Sequence, residues 1–154
     1  MNNKVKIKLV DELSRLPEKQ TKGSAKYDAY VRDFEITPDG IIKYFLGFKT
    51  EFPSTLEGEV LARSSLSKHP FCVQIGYGCI DSDYRDEWQF RIKYIPSPND
   101  IGQSLVSLCQ KHMPYKIGDR CCQISFREIT QVDFEQTEEL SDTERKGGFG
   151  STGK

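Results

Sequence analysis

The chain of 154 residues predicts an all-β fold with one short helix and a mobile C-terminal arm. Three observations carry that prediction. Several short segments alternate apolar and polar side chains with a period of two, the pattern of strands with one buried face. Turn chemistry separates them, most plainly at Thr37-Pro38-Asp39-Gly40. From Ile101 to His112, the apolar residues Ile101, Leu105, Leu108 and Cys109 fall at the i, i+4, i+7 and i+8 spacing of a helical stripe.

In chain order, Val5, Ile7 and Leu9 alternate with Lys4, Lys6 and Lys8, which predicts a half-buried strand with a basic outer face. Asp11 to Ser24 is polar, with one proline and one glycine, and reads as a loop leading to Ala25-Lys26-Tyr27-Asp28-Ala29-Tyr30-Val31. Tyr27 to Ile36 and Ile41 to Phe48 are expected to pair antiparallel across the turn at Pro38-Asp39. Gly58 to Ala62 forms another strand. Phe71 to Ile75 and the apolar run beyond Gly78 read as a hairpin, its glycines permitting positive φ and close approach of the backbone. Trp88 to Tyr94 alternates again and stops at Pro96-Ser97-Pro98. After the helical stretch, Gly118-Asp119 turns the chain into a last strand, Cys121 to Phe126.

Composition narrows the class. One domain of this length buries a core without disulfide staples. A formal charge of -1 and a pI near 6.1 supply no global field toward nucleic acid or an anionic membrane, so any anion must be gripped locally. No segment approaches the roughly 20 apolar residues of a membrane span, and Met1 to Lys6 lacks the apolar core of a signal peptide; the expectation is a cytoplasmic protein. Cys72, Cys79, Cys109, Cys121 and Cys122 are odd in number and contain no Cys-x-x-Cys pair, which predicts reduced thiols. His69 and His112 stand alone, so side-chain metal chelation is not expected.

Three stretches carry chemistry. Gly76 to Arg85 holds two glycines, Asp81, Asp83, Tyr84 and Arg85; it reads either as a common turn or as a base-sized slot beside a carboxylate. Arg63-Ser64-Ser65-Leu66 reads either as a capped helical turn with a surface arginine or as a phosphate grip of hydroxyls, N–H groups and a guanidinium. Glu135 to Glu144 contains five acids and no base and should be extended. It leads into Arg145-Lys146-Gly147-Gly148-Phe149-Gly150-Ser151-Thr152-Gly153-Lys154, either an unfolded tail or an arm suited to an anionic, aromatic ligand.

Together these pieces resemble the homotrimeric deoxyuridine triphosphatase (dUTPase) family, whose five motifs occur here in order. They are Ala25-Lys26-Tyr27-Asp28, Arg63-Ser64-Ser65-Leu66, Gly76 to Arg85, Gly118-Asp119-Arg120-Cys121-Cys122-Gln123, and Arg145 to Gly153. The third motif and the Gly-Gly-Phe-Gly-Ser-Thr-Gly tail are the most specific, and the resemblance spans about residues 4 to 154. It implies a jelly-roll-like β-barrel or β-clip domain over 1–134 and a flexible arm, 135–154, that carries a lid. It also implies a homotrimer with active sites at subunit interfaces, no nucleic-acid or membrane partner, and hydrolysis of dUTP to dUMP and pyrophosphate. That reaction keeps uracil out of DNA and supplies dUMP for thymidylate synthesis.

By the same resemblance Asp81 is the base for a water attacking the α-phosphorus, and Tyr84 lies against the deoxyribose. The backbone at Ile75, Gly76 and Gly78 reads uracil. Arg63, Ser64, Ser65 and Gln123 hold phosphate, while Phe149 stacks on the base and Arg145, Ser151 and Thr152 close on the terminal phosphates. Asp28 is a supporting residue; Asp83 and Arg85, given no direct chemistry, are expected to hold the hairpin and its subunit interface. Mg2+ is carried by triphosphate and water rather than by side chains. Ala29, Ala62, Ser65 and Asp86 depart from the family pattern, and Ile95 to Met113 is longer than the usual connection. This insertion, about 95–113, is expected to be a helical excursion and a candidate protein-partner surface. The alternatives are a dCTP deaminase or bifunctional deaminase of the same fold, and a nucleotide-gated regulatory protein.

Overall fold

The fold is described from a computed structural model over residues 4–144 and Gly147. Ten strands form: β1 (Lys6–Leu9), β2 (Tyr27–Tyr30), β3 (Asp33–Ile36), β4 (Ile41–Phe45), β5 (Phe48–Glu51), β6 (Leu56–Ala62), β7 (Phe71–Val73), β8 (Gly78–Ile80), β9 (Gln89–Tyr94) and β10 (Arg120–Glu128). One helix, α1 (Leu105–His112), and two 3-10 turns, Ser64–Lys68 and Pro98–Asp100, complete the order among the described residues. The strands pair antiparallel in three sheets, ordered β1-β5, β2-β10-β6-β8 and β3-β4-β9-β7.

The two four-stranded sheets share one core. Ala29, Val60, Cys122 and Ile124 from the first pack in one cluster with Ile42, Tyr44, Phe90 and Ile92 from the second. Alternation along β9 explains this: Phe90, Ile92 and Tyr94 are buried while Arg91 and Lys93 are not. Trp88 is fully buried, its ring 5.8 Å from Phe126 and its indole N–H donated to Thr50 Oγ1 at 3.0 Å. The all-β class with one helix stands as the sequence predicts.

Several details differ. Tyr27 to Ile36 is not one strand. At Val31 the backbone bonds Asp119 and Gly118, whereas the Arg32 N–H is donated to Phe45. The chain therefore leaves the first sheet and enters the second at that point, and β2 pairs with β10 while β3 pairs with β4. Ile41 to Phe48 likewise breaks at Gly47, whose φ is +79°, and β5 pairs with β1. The expected hairpin after Phe71 is also absent: β7 pairs with β9 and β8 with β6, so Gln74 to Tyr77 crosses between sheets.

The helix starts later than the stripe suggested. Ser97 and Asp100 form a capping box on the 3-10 turn, Gly102 sits at φ +80°, and Ile101 is left 87% exposed. Leu108 and Cys109 do enter the core, so this insertion is part of the packed body rather than an excursion from it. β1 is exposed along its length; with Ile7 it lines an apolar groove of about 510 Å³ that contains none of the predicted site residues.

Candidate functional site

Asp28 lies at the base of a polar pocket. Its carboxylate is buried and accepts from Arg120 Nη1 at 3.1 Å and from Gln123 Nε2 at 3.2 Å, with Arg63 Nε 3.6 Å away. Arg120 and Gln123 are three apart, and in a regular strand they would face opposite sides of the sheet. A β-bulge between Arg120 and Cys122 absorbs one residue, so Arg120 opposes Tyr30, Gln123 opposes Asp28, and both polar side chains reach the same carboxylate. The adjacent, fully buried pair Cys121-Cys122 is the trace this bulge leaves in the sequence.

Arg63 is tied from the other side, donating Nη1 to the carbonyl of Arg120 at 2.9 Å. It occupies the N-cap of the 3-10 turn without a side-chain capping bond. Ser64 is exposed in that turn, while Ser65 Oγ lies 3.2 Å from the Tyr115 hydroxyl. The resulting pocket, about 480 Å³, is lined by Gln20, Ser24, Lys26, Asp28, Ala62, Arg63, Ser64 and Gln123. Of these, Gln20 and Ser24 are not singled out by the sequence, and Lys26 only as part of the first motif, without a role. The signal for Lys26 was its i, i+2 spacing from Asp28, which puts both on one face; Gln20 and Ser24 come from a loop with no periodicity to read.

A second concavity, about 250 Å³, lies at the glycine-rich crossing and is lined by Val60, Val73, Ile75, Gly78, Ile80, Tyr84, Gln89, Phe90 and Arg91. Gly78 is required by close approach, since a Cβ there would lie 2.9 Å from the Val60 carbonyl oxygen. Gly76 has nothing within 4 Å of a Cβ position, and neither glycine adopts positive φ. Of the two things glycine permits, positive φ is not used here, close approach occurs at Gly78, and the backbone stands open at Gly76. Asp81 is exposed one residue beyond β8, and its carbonyl accepts the Tyr84 N–H at 3.1 Å. Arg85 donates to the carbonyls of Ser82 at 2.7 Å and Thr50 at 3.3 Å, which fastens this turn to β5.

The structure brings Asp28, Arg63, Ser64 and Gln123 to one pocket, and Ile75, Gly78 and Tyr84 to the other; the two linings share no residue. Arg145, Phe149, Ser151 and Thr152 lie outside the described residues. Among the described residues no group of three or more His, Cys, Asp or Glu is arranged to hold a metal ion, and no helix is long and apolar enough to cross a membrane.

The family model described as dUTPase matches residues 13–153. The deoxyuridine 5'-triphosphate nucleotidohydrolase of Nautilia profundicola is 36% identical over 156 residues, covering 98% of this chain and 99% of that protein. Among solved structures, the dUTPase of Staphylococcus bacteriophage 80alpha with dUPNHPP has a TM-score of 0.78 at 21% identity, covering 99% of both chains. A mutant dUTPase from phage phi11 of S. aureus, described with a structural Mg(II) ion, has a TM-score of 0.70 at 20% identity, covering 90% of this chain and 99% of that one. The structural likenesses show the fold; the family match and the sequence identity go further, and on them the chain belongs to the dUTPase family.

Proposed function

We propose that the protein hydrolyses dUTP to dUMP and pyrophosphate. The observation that carries this reading is the pairing, in a chain of this family, of a donor-rich pocket over Asp28 with a small, mostly apolar pocket beside an open backbone turn. Arg63, Ser64, Ser65 and Gln123 hold the phosphates, because guanidinium, hydroxyl and amide groups donate to oxyanions. Ile75, Gly76 and Gly78 read uracil through the backbone, and Tyr84 lies against the deoxyribose. Asp81 takes a proton from a water as that water's oxygen bonds to the α-phosphorus; the bond to the bridging oxygen breaks and pyrophosphate leaves. The exposure of Asp81 supports a role facing water.

The donor set suits a metal carried by the substrate. Phosphate oxygens and water would hold Mg2+, which when bound spreads charge on the triphosphate. Asp28 keeps Arg63, Arg120 and Gln123 in place beneath the phosphates.

A homotrimer with active sites between subunits belongs to this reading as the assembly that membership of the family implies. Exposed Phe134 and Leu140 support it too: they ride on a segment, beyond Gln131, with no regular structure among the described residues. In this reading residues up to 134 are the body and 135–154 the arm, whose Phe149, Arg145, Ser151 and Thr152 cover base and phosphates and exclude water. The 95–113 segment remains a candidate partner surface through its exposed part, around Ile101. Assaying pyrophosphate from dUTP and ammonia from dCTP tests the activity: pyrophosphate without ammonia supports it, and ammonia release marks a deaminase.

A further inference from the structure

The crossing segment Gln74 to Tyr77 is thinly held. It lies outside both flanking ladders apart from the Gln74 N–H donated to Arg91 at 3.1 Å, and Gly76 on one side of Tyr77 and Gly78 on the other carry no side chain. Among the described residues, Tyr77 is the only side chain of this segment that forms hydrogen bonds. Its hydroxyl donates to Glu57 Oε1 at 2.6 Å, with Glu59 Oε1 at 3.2 Å, and accepts from Arg127 Nη2 at 3.0 Å. The Arg127 guanidinium also lies 5.6 Å from the centre of the Tyr77 ring.

The anchor beneath it is built from two paired strands. Glu57 and Glu59 share one face of β6, and Arg127 of β10 is the cross-strand partner of Glu57. Two like charges at this spacing repel; Arg127 reconciles them, with Nη2 2.8 Å from Glu57 and Nε 3.1 Å from Glu59. Glu59 is buried, and its other oxygen takes Lys26 Nζ at 3.0 Å and the Ser125 hydroxyl. Tyr77, Arg127 and Cys79 hold Glu57 well below the ordinary carboxylate range, at about 2. Tyr77 is thus fastened to a fixed, fully ionic platform rather than to a flexible side chain.

We infer that Tyr77, clamped by Glu57, Glu59 and Arg127, sets the position of the backbone turn that reads uracil and is a specificity-determining positioning residue of the base site. This rests on the proposed role of Ile75, Gly76 and Gly78. A backbone reader discriminates only if its N–H and C=O groups stay in place, because a displaced turn admits other bases. Tyr77→Phe keeps the ring over Arg127 and removes the hydroxyl, so it loosens the turn without opening the sheet.

The test is steady-state turnover of dUTP and dCTP by the full chain and by Tyr77→Phe, with inhibition by tripolyphosphate as a probe of the phosphate pocket. The expected result is a rise of about tenfold in KM for dUTP, the scale of one hydrogen bond to a charged group, with kcat within about twofold. The preference for dUTP over dCTP falls, and tripolyphosphate inhibition is unchanged. Arg127→Gln is the second variant and should show the same loss of base preference. Unchanged KM and preference in both variants, or tripolyphosphate inhibition weakened in parallel, would overturn the inference. A wild-type chain that fails to turn over dUTP removes the uracil-reading premise and the inference with it; wild-type turnover beside unaltered KM and preference in both variants overturns the clamp alone.

Discussion

Asp28 gathers Arg120, Gln123 and Arg63 around one carboxylate only 4% exposed, so its removal leaves two guanidiniums without their counter-charge. Asp28→Ala should cost about 2 kcal/mol in urea unfolding, below the figure for a fully buried pair because both arginines keep some water. In the proposed reaction it should also raise KM for dUTP more than it lowers kcat. Asp81→Asn separates a base from a binder: nucleotide affinity should persist while kcat falls by roughly 10²-fold or more, and an unchanged kcat removes Asp81 from the chemistry. Asp28, Arg63 and Gln123 were legible because each sits in a contiguous run of distinctive residues. Lys26 shares the run of Asp28 and its face of the strand, whereas Gln20 and Ser24 are not legible, since their place in the pocket depends on how a loop without periodicity folds against the sheet.

At the scale of elements, the two glycines of the crossing turn make opposite demands. Gly78→Ala drives a Cβ into the Val60 carbonyl and should destabilise the β6–β8 pairing by about 1–3 kcal/mol. Gly76→Ala meets no atom, so the melting temperature should hold, while in the proposed reaction KM for dUTP should rise, because the methyl group enters the space assigned there to the base. Equal effects of both on melting would refute this division. The clamp beneath them carries its own pH signature. Because the folded-state pKa of Glu57 is lowered from 4.5 to about 2, its contribution is present above pH 4.5 and lost as pH falls toward 2. The melting-temperature gap between wild type and Glu57→Gln should therefore narrow across that window.

Alternation and turn residues located nearly every strand, yet not which strand each would pair with. Phe71 to Val73 and Gly78 to Ile80 look like two arms of a hairpin, but their partners, β9 and β6, belong to different sheets. Pairing across such distances is decided by the shared core, which no local pattern encodes. The helix shows the same limit: of the apolar stripe, Leu108 and Cys109 enter the core, whereas Ile101 obeys the stripe and remains in water because Gly102 turns the chain first.

For the whole molecule, the proposed trimer gives the exposed Phe134 and Leu140 a neighbouring chain to meet. Truncation before Arg145 should reduce kcat/KM for dUTP by orders of magnitude while sedimentation still reports a trimer; a monomeric truncated chain would move the arm from catalysis to assembly. Motif order made the family legible from sequence, and the 95–113 segment was legible only as extra length. Its helix proves to bury Leu108 and Cys109, so deleting it would strip the core rather than isolate a partner surface. The central claim is tested most directly by pyrophosphate release with Mg2+ present across dUTP, dCTP, dTTP and UTP. Release from dUTP, with dUMP formed in equal amount and little from the other three, is the predicted result; release without regard to base or sugar, or none from dUTP, would contradict it.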